Sequence, residues 1–149
     1  MIQKTAMNDI RIGYGYDFHK LIEGDSITLA GVEIKCKYEI SAHSDGDIVL
    51  HALSDSIYGA IANGDIGVHF PSNDQNLDIS SKHILAHACE TLVTSGYYIG
   101  NIDITILLEE PRIQDIVPEM RKNISNLTSL NMEYISIKSS TSQGVGLIG

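Results

Sequence analysis

The hydrophobic period changes along this chain, and that change limits the folds open to it. In Tyr98–Leu108, Ile102, Ile104 and Ile106 alternate with Asp103, Thr105 and Leu107. That is the period of two by which a strand turns one set of side chains to one face. Elsewhere the period is helical. Asp47–Ala62 carries apolar residues at 49, 50, 53, 57, 60 and 61. Ile84, Leu85, Ala88, Leu92 and Val93 predict a second inward helix face, and Val117, Met120, Ile124 and Leu127 a third. A chain mixing both periods belongs to the α/β class, here of the α+β type.

Shorter signals complete the order. Ile10–Tyr14 reads as a strand running on towards Asp17. Ser26–Leu29 and Val32–Cys36 form a hairpin about Ala30-Gly31, and Tyr134–Ser139 is a last strand. Ser44-Asp45 offers capping chemistry for the first helix and Gly64 a stop; Ser80 or Ser81 caps the second helix, which ends at Gly96. Gly64–Leu77, with two glycines, a proline and several Asn and Asp, is a long loop of the kind that carries function. The order β-β-β-α-α-β-α-β predicts a mixed four-stranded sheet with helices on one face plus a small β-hairpin.

The 149 residues make one domain. With two Phe and no Trp its core must be aliphatic. Ten Lys and Arg against 19 Asp and Glu leave a net charge of −9. That argues against a nucleic-acid binder, which needs a basic face. Any anionic ligand must be met by helix N-termini, backbone N–H groups or metal ions. Cys36 and Cys89 match no metal spacing and read as small buried side chains. No apolar run reaches the length of a membrane span, and MIQKTAMNDI lacks a targeting pattern. Residues 1–8 are expected to be a flexible extension, and the protein to be cytoplasmic.

Three places are candidates for chemistry. Asp17 and His19 lie two apart in extended chain, so a carboxylate and an imidazole face one side. With His51 from the first helix they make a three-ligand set that suits Zn²⁺ with an open fourth position. Asp47 and Asp55, one turn either side of His51, are rival ligands or acceptors that orient it. The second place is His43-Ser44 before that helix, where donors and a helix N-terminus suit phosphate. The third is Gly64-Asp65-Ile66-Gly67, followed by Phe70, Pro71 and Asp74, where close backbone approach and a carboxylate suit sugar hydroxyls. His69, His83 and His87 read as structural or exposed.

Four segments in order, RIGYGYDFH (11–19), AHSDGDIVLHAL (42–53), GDIGVHFP (64–71) and NIDITILLEEPR (101–112), resemble the 2-C-methyl-D-erythritol 2,4-cyclodiphosphate synthase family. The resemblance runs from about Asp9 to Gly149. It implies a homotrimeric lyase of the non-mevalonate isoprenoid pathway, with active sites between subunits. The implied substrate is 4-diphosphocytidyl-2-C-methyl-D-erythritol 2-phosphate, and the products are the cyclic diphosphate and CMP. It implies Zn²⁺ on Asp17, His19 and His51, and a second divalent ion, Mg²⁺ or Mn²⁺. His43 and Thr141 match catalytic phosphate contacts. Ser44, Asp65, Ile66, Gly67, Phe70, Asp74 and Ser140 match substrate-binding positions, and Leu108, Pro111, Arg112, Ile113 and Gln114 the cytidine pocket. Arg112 stands where the family usually has Lys. Gln143 stands where it usually has Glu, which removes a charge from the second metal's surroundings. The family also continues past the position of Gly149 with an arginine and a final strand, so the chain is expected to be cut short there. A zinc-dependent phosphate-ester hydrolase is the alternative reading of the same ligands.

Overall fold

Turn chemistry organises the first half of the protein, in a computed structural model that describes residues 9–42, 45–71 and 79–146. Strands β2 (Ser26–Leu29) and β3 (Val32–Lys35) pair antiparallel as the expected hairpin. Its two turn residues, Ala30 and Gly31, both have positive φ, 53° and 75°. That is the twist a two-residue hairpin loop needs. Strands β1 (Lys20–Glu23) and β4 (Tyr38–Ser41) pair antiparallel around it.

Helices α1 (Ile48–Ala60), α2 (Ile66–His69) and α3 (Ser81–Thr94) follow, then β5 (Ile102–Leu107), α4 (Val117–Thr128) and β6 (Ile135–Ser140). The one-turn α2 forms inside the stretch expected to be all loop. Strands β5 and β6 run parallel, Ile102 opposite Ile135 through Leu107 opposite Ser140. Helix α4 makes the crossover a parallel pair requires. The core is aliphatic as the composition demands: Leu50, Leu85, Met120 and Ile124 are fully buried, and Tyr58 is the aromatic that joins them. None of the described helices is long and apolar enough to cross a membrane.

Several expectations are corrected. Among the described residues the ladders are three pairs, where one mixed four-stranded sheet was expected. Ile10–Tyr14 joins none of them. Its backbone instead lies against α1, so closely that a methyl group on Gly13 would sit 2.0 Å from the Ser56 carbonyl oxygen. A groove of about 1460 Å³ runs between this stretch and β5. Strand β5 begins at Ile102 rather than Tyr98, which is exposed. Val93 is exposed because it lies about 100° round α3 from Leu92, beyond the core face. Cys36 and Cys89 are half-buried free thiols, and burial pushes the Cys89 thiol up to about 11.

The cap of α1 is also different. Asp47, not Ser44-Asp45, is the N-cap, and its Oδ1 accepts from Leu50 N–H. The same buried carboxylate accepts from Ala30 N–H at 2.9 Å and Gly31 N–H at 2.5 Å, so it also closes the hairpin turn. Burial raises its pKa against those three hydrogen bonds. Asp47→Ala removes the cap and strands a buried N–H at Ala30. We expect a loss of about 2–3 kcal/mol, read by denaturant unfolding, from a cap and an unsatisfied donor partly offset by relief of a buried charge.

Candidate functional site

Asp17, His19 and His51 converge. Gly15 lets the extended stretch approach α1, where a methyl would sit 1.8 Å from the Ala52 carbonyl oxygen. Two residues on, Asp17 faces His51 in the first turn of that helix. Asp17 Oδ2 lies 3.2 Å from His51 Nδ1 and 3.4 Å from His19 Nε2. All three donor atoms lie within 4.8 Å of one another. Two ligands at about 2.0–2.1 Å from a tetrahedral ion are about 3.4 Å apart. The donor set, two imidazoles and one carboxylate, therefore fits a tetrahedral divalent metal in both spacing and chemistry.

The nitrogens facing away from this point are occupied as well. His19 Nδ1 lies 3.2 Å from the carbonyl oxygen of Ser41, to which it donates. His51 Nε2 lies 2.8 Å from Ser81 Oγ. Partners of this kind fix which ring nitrogen carries the proton. His51 is the deepest of the three, its side chain 13% exposed against 24% for Asp17 and 27% for His19. The solvent side of the cluster is thus on the Asp17–His19 edge, where a fourth ligand has access.

Both rival carboxylates are engaged elsewhere: Asp47 in the cap and hairpin turn, Asp55 accepting from Ile66 N–H at 2.8 Å. Burial pushes the Asp17 carboxyl up, but the His51 hydrogen bond and the His19 charge outweigh it and hold it below 3.8. Burial opposes a charge on His51, yet the Asp17 bond and the charges of Asp17, Asp45 and Asp47 raise it above 6.5. In metal-free protein the raised His51 contributes stability that is fully present below pH 6.5 and lost as pH rises through its folded value. The lowered Asp17 contributes stability present above pH 3.8 and lost as pH falls through its own folded value. With metal chelated, the melting-temperature gap between wild type and His51→Gln is therefore expected to be widest between those limits. It should narrow as pH rises above 6.5 and through the folded value of His51.

The loop residues take defined places. Asp65 is the N-cap of α2, its Oδ1 accepting from Val68 N–H at 3.0 Å, and Ile66 is tied to α1 through Asp55. Gly67 is exposed and Phe70 half-buried. His69 stacks on Tyr58 at 4.1 Å, and its Nε2 bonds the Asn63 carbonyl at 2.8 Å. Tyr58 Oη and His87 Nδ1 are 2.7 Å apart, and Phe70 meets His87 edge-on at 5.2 Å. His83 and His87 share a helix face at the expected spacing, but only the fold brings Tyr58 and His69 to His87 and Phe70 to both.

Leu108 and Pro111–Gln114 follow the C-terminal end of β5 in the chain, and Ser140, Thr141 and Gln143 lie at or just after that of β6. Leu108 N–H bonds the Ser140 carbonyl at 2.9 Å. A cis Glu110–Pro111 peptide turns the chain, and Ile113 anchors it in the core. Arg112, Gln114, Thr141 and Gln143 are left exposed. Glu109 accepts from Ser142 Oγ at 2.7 Å and Gly144 N–H at 3.4 Å, holding the turn that carries Gln143 at φ 54°. Sequence reading missed Glu109, as it missed Ser81 and Asp45 beside His51; no local pattern distinguishes them from ordinary loop and cap residues. His43, Ser44 and Asp74 lie outside the described residues.

Residues 10–149 match the model of the YgbB family. The chain is 41% identical over 141 residues to the 2-C-methyl-D-erythritol 2,4-cyclodiphosphate synthase of Ectopseudomonas mendocina, covering 94% of this chain and 90% of that one. It is 43% identical to the enzyme of the same name from Acinetobacter baylyi, covering 94% and 86%. Among solved structures it is similar to a CDP complex of IspF from Plasmodium falciparum. That likeness has a TM-score of 0.82 at 38% identity and covers 96% of this chain and 88% of that one.

Proposed function

The chain belongs to the YgbB family, and on that premise we propose how its residues carry out the family's reaction. Its activity is that of the 2-C-methyl-D-erythritol 2,4-cyclodiphosphate synthases of the non-mevalonate isoprenoid pathway. It converts 4-diphosphocytidyl-2-C-methyl-D-erythritol 2-phosphate to the cyclic diphosphate and CMP. An oxygen of the 2-phosphate bonds to the β-phosphorus as the bond from that phosphorus to the CMP oxygen breaks.

The observation that carries the site assignment is the Asp17–His19–His51 convergence. We read these three as ligands of Zn²⁺, which when bound neutralises charge on the diphosphate as a Lewis acid. The rest of the work is positioning, because nucleophile and electrophile share one molecule. His43, Ser44, Ser140 and Thr141 donate hydrogen bonds to phosphate oxygens. Asp65, with Ile66, Gly67, Phe70 and Asp74, receives the erythritol hydroxyls. Leu108 and Pro111–Gln114 enclose the cytidine, with Arg112 keeping the positive charge at its position. Gln143 offers a carbonyl oxygen towards a second divalent ion, Mg²⁺ or Mn²⁺.

We read the assembly as a cytoplasmic homotrimer with shared active sites. The support is a row of outward side chains on one edge: Ile10, Ile12 and Tyr14 are 87%, 90% and 81% exposed, with Tyr16 and Phe18 beyond. A lone parallel pair such as β5–β6 also needs cover, since parallel sheets are buried on both faces. On this reading the extended stretch from Ile10, across the groove from β5, is part of the surface a second copy covers. The test is to incubate full-length protein with substrate and Mg²⁺ and follow phosphorus resonances. Cyclic diphosphate and CMP without ¹⁸O uptake from labelled water are expected. A linear phosphate carrying solvent oxygen would overturn the reading in favour of a hydrolase.

A further inference from the structure

We propose that Ser81 and Asp45 are positioning residues that fix the proton of His51 on Nε2 and so leave Nδ1 as the metal-facing nitrogen. The proposal rests on the metal reading of Asp17, His19 and His51 given above.

The hydroxyl of Ser81 is fully buried and stands between two partners. Asp45 Oδ1 is in close contact with Ser81 Oγ, and Asp45 Oδ2 accepts from Ser81 N–H at 2.9 Å. On the other side Ser81 Oγ is 2.8 Å from His51 Nε2. A hydroxyl has one proton to give, and a carboxylate can only accept. The Ser81 proton therefore goes to Asp45, and the Oγ lone pair is left to accept from His51. That requires Nε2–H on His51, so the nitrogen left to give up its proton to a metal is Nδ1, the atom 3.2 Å from Asp17 Oδ2. His19 is set the opposite way: its Nδ1–H is spent on Ser41 O, which frees Nε2. Each histidine thus keeps its outer N–H and leaves the other ring nitrogen, the one facing Asp17, for a metal.

Helix capping does not account for the Ser81 hydroxyl. The N-cap of α3 is Ser80, whose side chain accepts from Lys82 N–H. Nor does Asp47 take the role of Asp45, since its oxygens serve Leu50, Ala30 and Gly31. The relay also spans elements: His51 belongs to α1, Ser81 to α3, and Asp45 to the segment before α1.

The test is Zn²⁺ affinity of the full chain, measured by competition with a chromophoric chelator. Ser81→Ala is expected to weaken Zn²⁺ binding about 10- to 100-fold, the usual cost of losing a partner behind a metal-bound histidine. Ser81→Thr, which keeps the hydroxyl, should restore it. Asp45→Asn should also weaken binding, because an amide can donate to Ser81 Oγ and reverse the relay, and it should add no further loss to Ser81→Ala. Imidazole ¹⁵N spectra of metal-free protein, taken where His51 is neutral, should show the Nε2–H form in wild type and a mixture in Ser81→Ala. Should Ser81→Ala fail to fold, Asp45→Asn and the wild-type tautomer decide the question. Wild-type affinity in folded Ser81→Ala or Asp45→Asn, or an Nδ1–H tautomer in wild type, overturns the relay. A wild-type chain that binds no Zn²⁺ overturns the metal reading beneath it.

Discussion

His51→Ala is expected to abolish stoichiometric zinc and lower kcat by about 10³-fold. The substrate carries two phosphorylated centres into a protein of net charge −9. Among the described groups the Asp17–His19–His51 cluster is the place where a cation can be held against them. Charge stabilisation by a bound ion is worth several kcal/mol, and about 4 kcal/mol corresponds to 10³ in rate. On the proposed ligand set, removing His51 leaves Asp17 and His19, both on the more open edge, which is too few for a tetrahedral protein site. Elemental analysis of the purified variant and single-turnover kinetics give the two readouts. Full zinc retention would remove His51 from the ligand set. Zinc loss with unchanged kcat would sever the metal from the chemistry.

Gly15→Ala is expected to be nearly as damaging without touching any ligand. A methyl there meets the Ala52 carbonyl oxygen at 1.8 Å and the Ser56 amide nitrogen at 2.8 Å, both backbone atoms of α1 that cannot move aside singly. The extended stretch must shift outward, and Asp17, two residues on, moves with it. Overpacking of this kind costs about 1–3 kcal/mol of stability. A displacement of about 1 Å at a catalytic constellation costs about 10²-fold in rate. Gly100→Ala is the control, since a methyl at that position meets nothing within 4 Å. Denaturation midpoints and kcat should both fall for Gly15→Ala and stay near wild type for Gly100→Ala. Equal behaviour of the two would show that the close approach to α1 does not position Asp17.

The residues of the cluster are legible in the sequence, but for unequal reasons. Asp17 and His19 are two apart in a segment without helical periodicity, so their common side follows from backbone geometry alone. His51 can be set on a helix, yet its spacing allows Asp47 and Asp55 as competitors equally well. The hairpin about Ala30-Gly31 is readable because its turn needs residues that accept positive φ. The helices carrying Leu50, Leu85, Met120 and Ile124 are readable because burial of one face imposes their period.

What the sequence by itself determined is therefore local: the periods, the turn, the aliphatic core, and the family whose motifs the chain carries. Tertiary structure decided the competition among like groups. Asp47 is kept out of the Asp17–His19–His51 cluster because the hairpin turn, 16 residues away, claims its oxygens through Gly31. Asp55 is excluded because α2 claims it, and Ser81 is enlisted because α3 sets its hydroxyl against His51. A carboxylate or hydroxyl has the same intrinsic chemistry wherever it sits in a chain. Its role depends on which donors lie within about 3 Å, and long-range packing, not sequence spacing, sets that distance.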